Sequence, residues 1–405
     1  MMLLLASLAL AASIDLDAAL KHAIDDGIDA REAALARRGA ESALTRSRLA
    51  GLPNLNASGS VGAWAGSSFG AAADLGLDST TPLYAGGALQ AERDRAHAAA
   101  KTAIVEEQRV VQDLTLALAV NLLDVAAAHE REVSAAAALD AETALESRIA
   151  ALVAAGARTR ADLLQQTAAV AKARLAVVNA QRDHAHAELG LIGALRLDPR
   201  LDWAFMPPEA PNAPDLPLDA LVAMAVEQLP EIAANRSRLV SAEAALRGAG
   251  ASGRPSVDLR LGASSGLAAG GTAGFDGQAS VQFGVPIFNR GATRNDVTQA
   301  KIEVEAAQLD LAASEESAAL GVRRALTDRQ AAVAAEEASA TLFSASEAAA
   351  RVVQDRYEAG AAVLAELLAA RADLREAEGE RIEARADRVA AEFALLWSVG
   401  GLGRR

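Results

Sequence analysis

The residues that could do chemistry are few and scattered along this chain. It contains no cysteine, which excludes disulfides, thiolate nucleophiles and cysteine-ligated zinc. The closest histidines, His184 and His186, are two residues apart and point in different directions on a helix, so we do not expect them to share a metal ion. No glycine-rich phosphate loop ending in Gly-Lys is present. We therefore predict no catalytic residue, no metal site and no cofactor, and hence a protein that is not an enzyme.

Carboxylates are plentiful, but their distribution is typical of solvated helices. The chain has 53 Asp and Glu against 39 Lys and Arg, a net charge of −14. The acids punctuate helical stretches and usually lie near an arginine. A strongly acidic protein is poorly suited to neutralise phosphates, so we predict no nucleic-acid partner. The same charge suits a lumen that favours cations.

The composition favours long, closely packed helices over a compact enzyme core. Of the 405 residues, 52 % are apolar, largely alanine, and only 3 % are aromatic. Residues 1–12 resemble a short secretory signal ending in Ala9-Leu10-Ala11, although its usual positive start is missing. A misassigned start codon or a frayed apolar end is the alternative. No later stretch approaches ~20 unbroken apolar residues, so we predict that any membrane crossing is made by strands.

The chain consists of two copies of one unit. Leu16-Asp17-Ala18 recurs as Leu218-Asp219-Ala220, and Pro82-Leu83-Tyr84 recurs as Pro286-Ile287-Phe288, at offsets of 202 and 204. A segment between the copies holds six of the eleven prolines and is predicted to be a connector. The predicted division is a signal (1–12), a first repeat (13–197), the connector (198–217), a second repeat (218–397) and a tail (398–405).

Each repeat is predicted to contain a helix, two strands, a long helix and a return helix. At 1.5 Å per residue the long helices would reach roughly 100 Å. Apolar residues recur every seven positions, which supports coiled-coil pairing, although an ordinary soluble helical bundle explains this pattern equally well. The predicted helices are 18–49 and 218–250, then 88–154 and 292–358, then 161–195 and 363–397.

Four segments of about ten residues alternate apolar and polar side chains, the length and pattern of strands that cross a bilayer. A soluble two-sided sheet is the alternative. Four strands cannot close a barrel, and open edges are not tolerated in lipid, so a membrane location requires several protomers. The segments are 53–64, 74–84, 255–264 and 277–288, with Trp64, Phe69 and Phe275 near the hairpin ends as an expected aromatic girdle.

Over nearly its whole length, this duplicated order of elements resembles the TolC-type outer-membrane factor family. The resemblance includes the strand ends and the turns after the long helices. The matching residues are Pro82-Leu83-Tyr84-Ala85-Gly86-Gly87, Pro286-Ile287-Phe288-Asn289-Arg290-Gly291, Ala155-Gly156-Ala157-Arg158-Thr159-Arg160-Ala161-Asp162-Leu163-Leu164, and Arg356-Tyr357-Glu358-Ala359-Gly360 followed by Glu366-Leu367-Leu368.

The resemblance implies a mainly α fold with a small β part. Long coiled-coil helices would form an α-barrel in the periplasm, and four strands per protomer would contribute to a 12-stranded transmembrane β-barrel in a trimer. It implies a passive outer-membrane exit duct of a tripartite efflux or type I secretion system in a Gram-negative-type cell. The implied partners are the homotrimer, a periplasmic adaptor (membrane-fusion) protein, an inner-membrane pump of RND or ABC type, and outer-membrane lipid.

By position in the family, the turns after the long helices form the closed periplasmic aperture and the adaptor-docking surface. The resemblance places Gly156, Ala157, Gly360 and Ala361 in the tip turns and adaptor docking, and Asp162, Glu366, Tyr357 and Arg158 at the aperture. Two departures put the closing network in doubt: Ala362 replaces the family's tip arginine in the second repeat, and Ala369 replaces a second acidic residue. Asp162 and Glu366 could alternatively be solvated helix-start acids favoured by the helix dipole.

The main alternative function is a soluble periplasmic helical scaffold or pump adaptor. An adaptor would be expected to show a single helical hairpin flanked by β-rich domains, rather than a duplicated unit with four strands. For the cargo, Phe288-Asn289-Arg290 gives only a slight lean to metal or drug efflux.

Overall fold

A computed structural model of the chain describes residues 13–65, 69–268 and 273–402. The predicted signal lies outside these residues, as does the end of the predicted tail. Most of the described residues are helical, and the two longest helices have the bounds that the sequence predicts. The helices are α1 Leu16–Asp26, α2 Ile28–Leu49, α3 Ala88–Ala154, α4 Arg160–Leu195, α5 Leu218–Gln228, α6 Pro230–Ala251, α7 Ala292–Glu358 and α8 Leu364–Ser398.

The strands form two sheets among the described residues. A small parallel sheet pairs β1 with β4, and β4 lies in the proline-rich connector. The larger sheet is antiparallel, with the order β2-β3-β5-β6, so that a hairpin from each repeat contributes two neighbouring strands. The strands are β1 Ser13–Ile14, β2 Asn56–Ala65, β3 Phe69–Ala85, β4 Ala204–Phe205, β5 Ser256–Ala268 and β6 Ala273–Gly284.

The single helix predicted to open each repeat is in fact two helices. Gly27 ends α1 in an extended conformation, and a Cβ there would lie 2.1 Å from the carbonyl oxygen of Ala23. In the second repeat, Leu229 is extended because it precedes Pro230, and this proline opens α6, where its missing N–H costs nothing. The two breaks occupy equivalent positions but have different causes.

The chain divides into two compact units that do not follow the sequence repeats, since each unit contains segments of both. The turn unit comprises the described parts of Met1–Glu32, Gln108–Leu229 and Ser317–Arg405. The sheet unit comprises those of Ala33–Glu107 and Pro230–Glu316, including the four-stranded sheet.

The turn unit has several apolar clusters. In one, Leu122 and Val125 of α3 pack with Leu191 and Leu195 of α4 and with Ala19 of α1. Fully burying a leucine contributes roughly 1.5–3 kcal/mol, so this cluster holds α3 and α4 together. A second cluster joins the end of α3 to the end of α7 and the start of α8.

The larger sheet has one apolar and one polar face. On the apolar face Val61 lies opposite Ala73, and Leu259 lies opposite Val281. A bulge between Pro82 and Tyr84 interrupts the pairing of β3 with β5, so the predicted alternation ends before Leu83. Val61 is 87 % exposed and Phe283 is 73 % exposed, so this apolar face is uncovered within one chain.

One described helix could cross a membrane by length and composition alone. An 18-residue window of α3 reaches a mean hydropathy of 1.6. The sequence prediction, which relied on unbroken apolar runs, did not identify α3 as long and apolar enough to cross a membrane. Because 44 % of the window is buried and core helices pass the same test, we assign α3 to the packed helical part of the molecule.

Candidate functional site at the two helix turns

The long helices α3 and α7 end in the same turn geometry. Gly156 and Gly360 have φ of +74° and +76°, the left-handed region that glycine adopts without steric cost. The N–H of Ala157 donates to the carbonyl of Leu152 at 2.8 Å. In the second turn, the N–H of Ala361 donates to the carbonyl of Arg356 at 2.7 Å. With the glycine N–H bonds, these contacts make both turns Schellman motifs. The turns reverse the chain tightly and leave all four predicted tip residues exposed: Gly156, Ala157, Gly360 and Ala361.

The helices that follow the two turns start differently. At the start of α4, the Thr159 side chain accepts from the N–H of Asp162 at 3.2 Å, and the Asp162 carboxylate accepts from the N–H of Thr159 at 3.1 Å. This reciprocal pair is a capping box. The N-cap residue of α8 is Val363, whose side chain makes no capping hydrogen bond. Asp162 therefore stabilises the helix start, whereas Glu366, at the equivalent position, has no such bond.

Tyr357 lies at the centre of the turn region and is only 4 % exposed. The guanidinium of Arg158 lies 4.4 Å from the ring centroid, a cation–π contact, and donates to the Tyr357 carbonyl at 3.1 Å. Burial raises the pKa of the Tyr357 hydroxyl; the Arg158 cation opposes this shift, and the Asp162 charge adds to it. The hydroxyl is buried without a hydrogen-bond partner in the described part of the chain.

The structure thus brings three of the four predicted aperture residues together: Arg158, Asp162 and Tyr357. Glu366 is half-exposed, and its carboxylate lies 3.8 Å from the guanidinium of Arg356. Arg356 also donates to the Ala361 carbonyl in the turn, at 3.2 Å. At such exposure the Arg356–Glu366 ion pair contributes little to stability. The Glu366 carboxylate remains accessible to solvent.

Ala362, which stands where the family places an arginine, is buried in the cluster around Tyr357. Arg158, the equivalent residue of the first repeat, supplies the guanidinium that covers this tyrosine. A further ion pair joins the ends of the two long helices, with Arg148 2.7 Å from Glu358. The hydrogen bond from Arg148 lowers the pKa of the Glu358 carboxyl.

A buried polar network behind the turns was missed by the sequence prediction. Glu142 of α3 is 2 % exposed, and the fully buried Gln166 of α4 donates to its carboxylate at 2.7 Å and to its carbonyl at 2.9 Å. Arg371 and Arg375 of α8 each lie 3.6 Å from the same carboxylate. One carboxylate therefore connects three helices, and two cations compensate the cost of its burial.

A signal for this network exists in the sequence. Leu163 and Val170 belong to an apolar row that repeats every seven residues. Gln166 lies between them, at the other core position of the heptad. A polar residue at such a position is typical of a buried pairing site. Two of the histidines are not scattered in the fold, contrary to the sequence prediction, since the rings of His129 and His184 lie 5.0 Å apart.

These features describe a protein built from two helical hairpins with equivalent turns. The same chain forms a four-stranded sheet with an uncovered apolar face. A family model described as "Outer membrane efflux protein" matches residues 10–195 and 221–401. The chain therefore belongs to the outer membrane efflux protein family. The resemblance to TolC-type outer-membrane factors is confirmed.

Individual relatives agree with this assignment. Protein CyaE of Bordetella pertussis is 31 % identical over 256 residues, which is 62 % of this chain and 54 % of CyaE. The chain is thus matched over about half the length of that curated relative. The outer membrane protein VceC of Vibrio cholerae has a TM-score of 0.83 at 16 % identity, covering 95 % of this chain and 96 % of VceC. CusC, whose crystal structures concern transmembrane channel formation, has a TM-score of 0.84 at 18 % identity, covering 95 % of this chain and 92 % of CusC. These two structures show that the fold is shared.

Proposed function

We propose that three copies of this chain form the outer-membrane exit duct of a tripartite efflux or type I secretion system. Each copy contributes four strands to a 12-stranded barrel in the outer membrane, and its long helices contribute to a periplasmic α-barrel. The duct is passive and takes cargo from an inner-membrane pump of RND or ABC type through a periplasmic adaptor. The family membership and the shared channel fold support this proposal.

The observation that carries the proposal is the uncovered, open sheet. Strands β2 and β6 are its outer strands, and within the described residues each has one edge without a partner strand. Its apolar face is exposed, including Val61, Phe275 and Phe283. Lipid tolerates neither open edges nor unpaired backbone groups, so a membrane location requires β2 of one copy to pair with β6 of another.

The absence of cysteine makes this pairing directly testable. Ser58 on β2 and Gln278, Ser280 and Gln282 on β6 lie on the same, polar face of the sheet. We would combine Ser58→Cys with Cys at each β6 position in turn, because only Cα atoms about 4.4–6.8 Å apart form a disulfide. The expected result, in at least one combination, is a non-reducing ladder of covalent species that ends at three chains.

Each single-cysteine variant is the matched control and is expected to give no ladder. Cell fractionation and unboiled gels complete the test, with a trimer expected in the outer-membrane fraction. A monomer recovered only from the soluble periplasm would contradict the duct and favour the scaffold or adaptor alternative. A ladder that ends at two chains would contradict the trimer.

The tip turns are proposed as the adaptor-docking surface. Gly156, Ala157, Gly360 and Ala361 are exposed, and both turns present small residues on the same Schellman geometry. Two equivalent turns per chain would give six in a trimer, so an adaptor could dock on both in similar fashion. The residues behind these turns, Arg158, Tyr357, Asp162 and Glu366, are proposed to control the aperture.

A further inference from the structure

The helices α3 and α4 bring two histidines and a glutamate together at mid-hairpin. His129 lies 27 residues before Gly156, and His184 lies 28 residues after it, so the antiparallel hairpin places them side by side. The apolar row of α3 contains Leu118 and Val125, and Glu132 takes its next position seven residues on. In α4, His184 interrupts the equivalent row before Leu191. Polar residues therefore replace apolar ones on both helices at the same level.

The side chains of this cluster lie within coordination reach of one another. Nδ1 of His184 lies 2.7 Å from a Glu132 carboxylate oxygen. The His129 and His184 rings are 5.0 Å apart between centroids, tilted by 53°. One ligand atom from each of His129, Glu132 and His184 can be chosen so that all lie within 4.8 Å of one another. Among the described residues, these three form the group with this geometry.

A fourth residue contacts the other side of the central imidazole. Nε2 of His184 lies 3.4 Å from a carboxylate oxygen of Glu188, one turn further along α4. Without an ion, the 2.7 Å contact between Nδ1 of His184 and the Glu132 carboxylate needs a proton on one of the two atoms. When an ion replaces that proton, a proton on Nε2 directed at Glu188 leaves Nδ1 free to coordinate. Metal-binding histidines commonly donate their second ring N–H to a carboxylate in this way, which fixes the tautomer and the ring orientation.

The exposure of the residues suits a site that exchanges its ion with solvent. The side chains of His184 and Glu132 are 18 % and 26 % exposed, so they are held by the packing of the helices. His129 lies on the exposed side of the group. A metal ion can thus enter from solvent, and a water molecule can complete its coordination.

We propose that His129, Glu132 and His184 bind one divalent transition-metal ion, with Zn²⁺ as the reference ion, and that Glu188 is a positioning residue. Two imidazoles and one carboxylate are ligands that suit Zn²⁺, Ni²⁺ and Cu²⁺, whereas Ca²⁺ and Mg²⁺ prefer all-oxygen sites. The ion cross-links α3 to α4 at a level where the apolar seam is interrupted. This replaces the sequence prediction of no metal site and is independent of the export function.

The test is Zn²⁺ titration of the full-length, chelator-treated protein in detergent at pH 7, carrying no polyhistidine tag. Isothermal titration calorimetry is expected to show one saturable Zn²⁺ per chain. Zn²⁺ at 100 times its dissociation constant should also raise the thermal unfolding midpoint, because it binds only the folded protein. Both effects should be lost in His184→Ala and in His129→Ala.

His186→Ala is the matched control, because it removes an exposed histidine two residues from His184 on the same helix. It is expected to bind Zn²⁺ as the unaltered protein does. Glu188→Gln is expected to weaken binding by about 10-fold to 100-fold without abolishing it, the usual effect of a group that orients a ligand. Far-ultraviolet circular dichroism of each variant without metal checks that its helices are intact.

Three results would overturn the proposal: no saturable Zn²⁺ binding, equal binding by a correctly folded His184→Ala, or Mg²⁺ binding as tight as Zn²⁺. The last result would show attraction to acidic surface charge instead of coordination by histidine. The Co²⁺ visible absorption spectrum gives an independent readout, since direct imidazole coordination changes it and a diffuse ion cloud does not.

Discussion

Arg158 in the first turn supplies the guanidinium that the second turn lacks. The second repeat carries Ala362 at the equivalent position, and this alanine is buried beside Tyr357. The guanidinium of Arg158 lies over that same tyrosine and bonds to its carbonyl. The two turns are therefore connected by one arginine from the first repeat, and the loss of the second arginine does not leave Tyr357 uncovered.

We predict that Arg158→Ala loosens the aperture. The substitution removes a cation–π contact and a hydrogen bond, together worth about 1–2 kcal/mol, or roughly a tenfold change in the balance between closed and open turns. The measurement is the leak conductance of the protein in planar bilayers, which should rise. Arg160→Ala removes the same charge two residues away, at an exposed position, and should leave the leak unchanged.

Neutralising Glu366 is predicted to change only the block by cations, whereas neutralising Asp162 is predicted to change both the block and the stability of α4. A carboxylate about 4 Å from a divalent cation contributes about 2 kcal/mol in water, so Glu366→Gln should raise the Mg²⁺ concentration that blocks conductance roughly 30-fold. Asp162→Asn should alter block as well, but it also weakens the capping box of α4, so its unfolding midpoint should fall. Unchanged block in both variants would remove their assigned role at the aperture.

The sequence predicted part of this site and missed part for a physical reason. The turn glycines and the acids after them follow from local motifs that repeat in the chain. The contacts of Glu142 with Gln166 and Arg371 depend on how three helices pack, which local patterns do not specify. His129 and His184 became neighbours only through the register of the hairpin about Gly156, although that register was open to deduction from the turn position.

At the scale of elements, the turns at Gly156 and Gly360 reverse the direction of the chain in each helical hairpin. A side chain added at Gly156 or Gly360 would meet no atom within 4 Å, so the only penalty of an alanine there is the left-handed backbone. Adjacent helices α3 and α4, and likewise α7 and α8, depend on these turns for their antiparallel course.

We predict that Gly156→Ala and Gly360→Ala each destabilise the protein by about 1 kcal/mol, because an L-residue in the left-handed region costs roughly that much. Thermal unfolding followed by helical circular dichroism measures the effect. Gly190→Ala is the control of opposite sign. Gly190 lies within α4 with nothing within 4 Å of an added Cβ, and alanine there should stabilise the helix by about 0.5–1 kcal/mol. If Gly156→Ala were as stable as the unaltered protein, the strain argument would fail.

The fold was largely predictable at the level of elements because its signals are long and repeated. Both 67-residue helices and all four long strands follow from periodic patterns present twice in the chain. The interruptions at Gly27 and Leu229 were not predicted, since a single glycine or a proline at a helix start does not by itself identify a break. The start of β3 at Phe69 was also missed, because Gly70-Ala71-Ala72-Ala73 are all small and show no alternation, and β6 ends at Gly284, before the predicted 288.

At the scale of the whole molecule, duplication explains why the sheet is open. Each repeat supplies one hairpin, and β3 of the first pairs with β5 of the second, which leaves β2 and β6 at the outside. Most polar positions then fall on one face. Asn56, Asp78 and Gln278 share one row across the strands, and Asn56 donates a hydrogen bond to Asp78 at 3.2 Å. In the proposed barrel this is the face that lines the duct.

That face is acidic, and we predict that it makes the duct cation-selective. Four aspartates and one arginine lie on it: Asp74, Asp78, Asp258, Asp276 and Arg260. Low-dielectric walls focus such charges and raise the local concentration of counter-ions. Reversal potentials in a KCl gradient should show K⁺ preferred over Cl⁻. Asp74→Asn combined with Asp78→Asn should lower this preference, and Arg260→Gln, of opposite sign on the same face, should raise it.

Because exposed charges are screened beyond about 10 Å at 0.1 M salt, the preference should also shrink as KCl is raised. If both the double aspartate variant and Arg260→Gln left the reversal potential unchanged, this face of the sheet would not line the conducting path.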